Sequence, residues 1–393
     1  MSAGSTGRLV QLAADAAEAA MARSAVAFGA QTDSDELARW QSRLERGEVW
    51  GWEEDGQILA QCRLLDREHW FGGRRVPTLD VASVAVPPEH RGRGAGGACM
   101  RAAVSQWASR GVGLSLLFPA TSGFYRRLGW EHAGHFGWSC LATRHAPTVG
   151  APLRLADRPS DWAAIRACQE REAQHCQGPE VRSENRWESL RSASYHYVLD
   201  ADEPGTIEAY LLVDHRKPPD DWRYVLAIQD WAATSPRGLT ALVGFVGRHR
   251  SLCSAAEFRS TVPERWSLVT DEQDVTLQSS FYWMARGLDL AAAVAARGFP
   301  SSLMAGITLR VEDPLLPHPS APQRLEIAGG RGQLVDAPGA DAHLDARAIG
   351  PLYTGFRSAH ELALAGLLRG PNEALDLLTE AFASTPPVLY DFF

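Results

Sequence analysis

The chain has 393 residues, a length that suits two or three domains. Hydrophobic residues make up 45% and charged residues 22%, enough apolar material for sizeable buried cores. A formal net charge of −8 disfavours a nucleic-acid partner and suits a cationic ligand such as a polyamine. The opening residues 1–7 are small and polar, without the basic stretch and apolar run of a secretory signal. No apolar stretch reaches the roughly 18 residues of a membrane span, so a cytoplasmic location is expected. The cysteines Cys62, Cys99, Cys140, Cys168, Cys176 and Cys253 form no C-x-x-C pair, so no metal site is expected and the thiols read as reduced. Lys217 is the sole lysine, an arginine bias from which no function follows.

The first 145 or so residues alternate between strand-like and helix-like patterns. Strands are expected over 8–12, 49–52, 58–65, 79–86, 114–118 and 130–142. Helices are expected over 13–28, 34–44 with Ser34 as N-cap, 95–109 and 122–128. The order is β-α-α-β-β-β-α-β-α-β. Prolines across 146–152 mark a boundary. A second module follows, with strands at 154–157, 195–199, 208–213, 224–232 and 256–260 and helices at 161–175 and 237–250. A third begins near 288, with a helix at 290–297 and strands near 307–311, 324–327 and 332–334. A helical turn at 344–349, stopped by Gly350-Pro351, precedes helices at 360–368 and 372–382. Residues 316–322 form a proline-rich loop.

The stretch 81–97, VASVAVPPEHRGRGAGG, carries the chemistry. A strand enters a glycine-rich turn that opens a helix. The first amides of a helix have no partner within it, and the helix dipole makes them a ready anion site. Glycines admit a pyrophosphate close to the backbone, and Arg91 and Arg93 add charge. A Walker loop is excluded because no lysine follows. Gly92-x-Gly94-x-x-Gly97 satisfies a dinucleotide pattern, but the acid which that fold needs is missing from 113–119. Arg91-Gly92-Arg93-Gly94-Ala95-Gly96 satisfies [RQ]-x-x-G-x-[GA]. His90, beside it, reads as a surface loop residue.

That hexapeptide, the preceding strand and the segment Ser122-Gly-Phe-Tyr-Arg-Arg-Leu-Gly-Trp130 together resemble the GNAT acetyltransferases. Within them the whole chain resembles the Eis group, on its length, on 84–94, on 281–298 and on the ending AFASTPPVLYDFF. The resemblance implies a mixed α/β (α+β) chain in three parts. Residues 1–147 form a catalytic GNAT domain. Residues 148–285 form a degenerate GNAT-like domain whose turn at 231–240 lacks the paired glycines. Residues 286–393 form a sterol-carrier-like α/β domain. It further implies a homohexamer, acetyl-CoA as cosubstrate, no metal, and a small-molecule amine of the aminoglycoside type as acceptor.

Under that resemblance the cosubstrate is held by Val84, Ala85, Val86, Arg91, Gly92, Arg93, Gly94, Ala95, Gly96 and Gly97. Tyr125 is the acid toward sulfur, while Phe124, Leu128 and Trp130 by themselves read as core or pocket wall. The chain's own terminal carboxylate, on Phe393, is the base. Phe392 stands where relatives carry an acid, and Asp391 lies one step back. Phe28, Asp33, Glu36 and Trp40 are candidates for the acceptor pocket, with Ser83 where a relative has a bulky aromatic. Protein lysine acetylation, and lipid carriage by the last domain without catalysis, are the alternatives.

Overall fold

The computed structural model describes residues 7–316 and 321–393. The polar start of the chain and the middle of the proline-rich loop fall mostly outside them. The first segment holds β1 (Arg8–Gln11), α1 (Ala17–Phe28), α2 (Ser34–Glu45), β2 (Val49–Glu54), β3 (Gln57–Phe71), β4 (Arg74–Ala85), α3 (Ala95–Ala108), β5 (Leu114–Leu117), α4 (Ser122–Arg126) and β6 (Glu131–Ala142). This is the order read from the sequence. The N-cap of α2 is Asp33 rather than Ser34, and its side chain accepts from the Glu36 amide at 2.8 Å.

β3 and β4 run far beyond the strands expected at 58–65 and 79–86. Their extra halves carry Arg67, Glu68, His69, Arg74 and Arg75, which break the apolar alternation. This end of the hairpin lies against the next segment, although Glu68 and Arg75 stay exposed. The Trp70 amide donates to Pro179 O (2.9 Å) and the Val181 amide to Glu68 O (2.8 Å). His69 is fully buried between Gly178 O (2.6 Å) and Asp80 Oδ2 (2.8 Å).

The second segment holds β7 (Arg154–Leu155), α5 (Asp161–Ala173), α6 (Glu184–Arg191), β8 (Tyr195–Asp200), β9 (Ile207–Arg216), β10 (Tyr224–Ala233), α7 (Pro236–Arg248), β11 (Cys253–Ser260) and β12 (Val275–Gly287). α6 and β12 were absent from the sequence reading. The two segments share one 12-stranded sheet, ordered β1-β2-β3-β4-β5-β12-β6-β11-β10-β9-β8-β7. β12 thus leaves the second segment and inserts between β5 and β6 of the first. Most of β12 before Trp283 is exposed, while Trp283 to Gly287 are buried. Its apolar end is completed by strands remote in sequence.

The third segment holds α8 (Leu290–Ala296), β13 (Ala305–Glu312), β14 (Gln323–Ala328), β15 (Arg331–Asp336), β16 (Ala342–Asp345), α9 (Ala346–Tyr353), α10 (Ala359–Leu364), β17 (Leu368–Arg369) and α11 (Asn372–Phe382). Its strands form a separate 5-stranded sheet, β15-β14-β13-β16-β17. Gly350-Pro351 does not stop a helix here. Pro351 lies inside α9, and Gly350 is needed there because a Cβ would stand 2.3 Å from Ala285 O on β12. The core of this segment reaches back to Phe71, Val76 and Leu114, so it is seated on the first. Among the described residues no helix is long and apolar enough to cross a membrane.

Candidate active site

The site begins where β4 parts from its neighbours. β4 pairs in parallel with β5 from Thr78↔Leu114 to Val81↔Leu117 and no further. On its other side the register with β3 slips between Gln61↔Ala85 and Arg63↔Ala82, so Ser83 and Val84 oppose a single residue, Cys62. Ser83 adopts φ +50°, a left-handed conformation that is costly for a residue with a Cβ. Such a bulge bends the strand and re-aims its side chains. The result is a wedge-shaped opening between residues 82–86 and 118–121.

The glycine-rich turn closes one end of the wedge. Gly92 and Gly94 have φ +77° and +88°, and a Cβ on either would meet nothing within 4 Å. These glycines are required by backbone conformation, and their open faces look into space. Gly94 is the N-cap of α3 and has no side-chain cap. The first hydrogen bond of the helix is from Ala98 N–H to Gly94 O (2.9 Å), which leaves the amides of Ala95, Gly96 and Gly97 pointing forward unused. Arg91 Nε donates to Val86 O (3.0 Å) and fastens the turn to the strand, while Arg93 is exposed. A cavity of about 540 Å³ opens at this point, lined by Val84, Val86, Arg91, Gly92, Gly94 to Gly97, Phe124 and Tyr125. His90 stands on its wall, with its Nδ1 lacking a hydrogen-bond partner.

The corresponding turn of the second segment, between β10 and α7, is closed. Ser235 Oγ accepts from the Gly238 amide at 2.9 Å, and Pro236 contributes no N–H. Of the three donors left open before α3, the counterpart of the first is missing before α7 and that of the third is occupied.

Tyr125, on α4, is buried, and it lines both the cavity at the turn and the next one along the wedge. Burial, with Cys62 nearby, raises the pKa of its phenol. The hydroxyl therefore keeps its proton. The second cavity, of about 430 Å³, is bounded by Val81 to Val84, Phe118, Tyr125, Phe392 and Phe393. Phe28, at the end of α1, lines both cavities and is half exposed.

The C-terminal tail reaches this point by a series of specific bonds. The Val388 amide donates to Gln177 O (2.8 Å), and Arg259 Nη1 donates to Tyr390 O (2.6 Å). The Tyr390 hydroxyl accepts from Arg265 (2.8 Å). Asp391 is buried and accepts from Arg182 Nε (2.8 Å) and Arg186 Nε (2.6 Å). Burial alone would raise its pKa, but these arginines outweigh burial and hold it well below the usual carboxylate range. Phe392 then stacks on Phe118, with centroids 4.5 Å apart, and Phe393 packs against the same ring at 5.2 Å. Beneath them lie Leu116, Ala133, Trp283 and Ala285, which come from β5, β6 and the inserted β12.

The remaining pocket candidates are placed differently. Trp40 is buried with Leu12, Ala20 and Val49 and lines no described cavity. Glu36 accepts from Arg39 (2.7 Å) and Arg43 (3.1 Å), and Asp33 caps α2. These three are structural residues of α2, whereas Phe28 and Ser83 do line the wedge. A third cavity, of about 410 Å³, adjoins the second and shares Ser83, Phe392 and Phe393 with it. It had no counterpart in the sequence reading. Its charged walls come from α2, the adjoining loop, β3, α6 and the segment before α6, so no local pattern announces it.

The comparisons with known proteins follow this geometry. Residues 9–133 and 178–287 each match an Acetyltransferase (GNAT) domain family, and residues 290–390 match the Sterol carrier protein domain. The N-acetyltransferase Eis of Mycobacterium tuberculosis (strain CDC 1551 / Oshkosh) is 26% identical over 367 residues, covering 84% of this chain and 85% of that protein. A GCN5-related N-acetyltransferase from Kribbella flavida superposes with a TM-score of 0.85 at 26% identity, covering 98% of both chains. Eis1 from Mycobacterium abscessus has the same fold at 22% identity, with a TM-score of 0.80 and coverage of 99% of this chain and 100% of that one. The chain is an Eis-like GNAT N-acetyltransferase, built of two GNAT domains followed by a sterol-carrier domain.

Proposed function

We propose that the wedge between β4 and β5 transfers acetyl from acetyl-CoA to an amine. The observation that carries this is the continuity of the uncapped turn at Gly94, Tyr125 and the Phe393 terminus along adjoining cavities. The diphosphate fits the open amides of Ala95, Gly96 and Gly97, with Arg91 and Arg93 at hand. The edge of 82–86 left unpaired by β5 supplies backbone donors toward the pantetheine arm and the thioester carbonyl.

In the transfer, the amine nitrogen attacks the thioester carbon, the C–N bond forms and the C–S bond breaks. The amine's proton passes to the Phe393 carboxylate, directly or through water, and the Tyr125 hydroxyl donates its proton to the departing sulfur. No described arginine or lysine makes an ion pair with the Phe393 carboxylate, which favours it as a proton acceptor.

Lipid carriage without catalysis finds little support in volume. The apolar cavity of the third segment, lined by Leu325, Leu344, Leu352 and Phe382 among others, holds about 50 Å³. For comparison, an apolar cavity of about 150 Å³ takes up a single benzene. Thiol release from acetyl-CoA over a panel of small amines, including aminoglycosides, tests the proposal. Turnover supports it, and absence of turnover with every amine counts against it. Mass shifts on protein lysines without turnover of small amines would favour protein acetylation instead.

A further inference from the structure

The net charge of −8 over the whole chain suits a polycationic acceptor. The walls of the third cavity have the opposite balance. Arg43, Arg46, Arg63, Arg67 and Arg186 line it, against the side-chain acids Glu48, Glu180 and Asp391. Each of those acids is already occupied. Glu48 accepts from Arg46 at 2.7 and 3.2 Å and from Arg63 at 2.8 Å. Glu180 is paired with Arg67 at 3.1 Å. Asp391 is taken by Arg182 and Arg186. An ammonium entering this space meets side-chain carboxylates that each already face an arginine.

The donors are in surplus instead. A guanidinium offers five N–H groups. Arg186 uses its Nε on Asp391, and among the described residues its two terminal nitrogens have no protein partner. Arg63 spends Nη2 on Glu48, while its Nε is buried without any acceptor. Planar forks of this kind match carboxylate and phosphate oxygens. The carboxylate clear of arginine is that of Phe393, at the junction with the cavity of Tyr125.

We propose that the acceptor is an amine which also carries an anionic group, a carboxylate or a phosphate, held by this arginine-lined cavity while its amino group lies between Ser83 and the Phe393 terminus. This inference rests on the acetyl-transfer reading above and names the substrate class of that site.

The test uses the full chain with acetyl-CoA and amines matched in length: aminohexanoate, aminohexyl phosphate, aminohexanol and diaminohexane, with kanamycin alongside. The expected result is a kcat/KM at least about ten-fold higher for the carboxylate or the phosphate than for the alcohol or the diamine. Which of the two anions leads assigns the acceptor to the amino acids or to the phosphorylated amines. The substitution Arg186→Gln removes the two spare terminal nitrogens and is expected to reduce that preference about ten-fold. It leaves Asp391 with Arg182, so no buried acid is stranded. A kcat/KM highest for diaminohexane or kanamycin overturns the anionic-acceptor proposal and leaves acetyl transfer standing. Failure of all amines to release thiol overturns acetyl transfer itself, and this inference with it.

Discussion

The guanidinium of Arg182 donates to the carboxylate of Asp391 at 2.8 Å, across 209 positions of sequence. Both side chains are buried, and Arg182 also holds Asp230 through bonds of 2.6 and 2.8 Å. The second GNAT domain therefore grips the tail of the chain and holds its last residues beside the cavity that Tyr125 lines. Removing one partner of a buried ion pair strands the other, at about 3–5 kcal/mol. Asp391→Ala is expected to cost toward the low end of that range, because Asp230 still holds Arg182. Amine acetylation should fall with it, while acetyl-CoA affinity holds. Chemical unfolding and calorimetry check the two halves; a tail variant with full activity would detach the grip from the chemistry.

Tyr125→Phe keeps the packing of Phe124 and Trp130 against the ring and removes only the hydroxyl. A proton donor in the transition state is worth roughly 10²–10⁴-fold. The expected result is a kcat reduced by about that factor with the dissociation constant of acetyl-CoA unchanged. Equal kcat would leave Tyr125 as a wall residue.

Gly94→Val tests the turn by conformation rather than by charge. A Cβ at Gly94 meets open space, so the penalty is that of a β-branched residue at φ +88°. That strain, about 1–3 kcal/mol, shifts the turn and misaligns the amides of Ala95 and Gly96. Acetyl-CoA binding is expected to weaken about ten-fold or more by calorimetry. An unchanged affinity would place the diphosphate elsewhere.

The turn was legible because its signal is local: glycines and arginines at fixed spacing between a strand and a helix. The order of elements in the first segment was legible for the same reason. The rest was hidden by distance. β12 reads as polar before Trp283 because that half is exposed, and its buried end is covered by strands from another segment. Arg67, His69 and Arg74 looked like a break between strands, yet the β3–β4 hairpin continues through them onto the second segment. Trp40 looked like a pocket aromatic, but the helical spacing of α2 turns it inward, onto Leu12 and Val49. Net charge carries no information on this cavity, because it averages over the whole surface, whereas the cavity beside Phe393 is lined by arginines gathered from several elements.

Glu180 supplies a pH test. Burial, and then the charge of Asp391, push its pKa up from the ordinary 4.5 to about 7. A carboxyl whose folded pKa is raised stabilises the fold fully below its unfolded pKa. That contribution is lost as pH climbs through 4.5 toward about 7. Glu180→Gln should remove this dependence and leave the variant the more stable protein at pH 8, by at most roughly 3 kcal/mol. Denaturant unfolding at several pH values measures it. Parallel profiles for the two proteins would show that Arg67 keeps Glu180 ionised throughout.

The most direct test of the central claim is thiol release by a protein extended by a few residues after Phe393. The extension moves the terminal carboxylate away from Tyr125, while Asp391 and the contacts before it still anchor the tail. The account predicts a kcat lowered at least about ten-fold, with acetyl-CoA affinity and unfolding temperature unchanged. A full rate from the extended chain would contradict it.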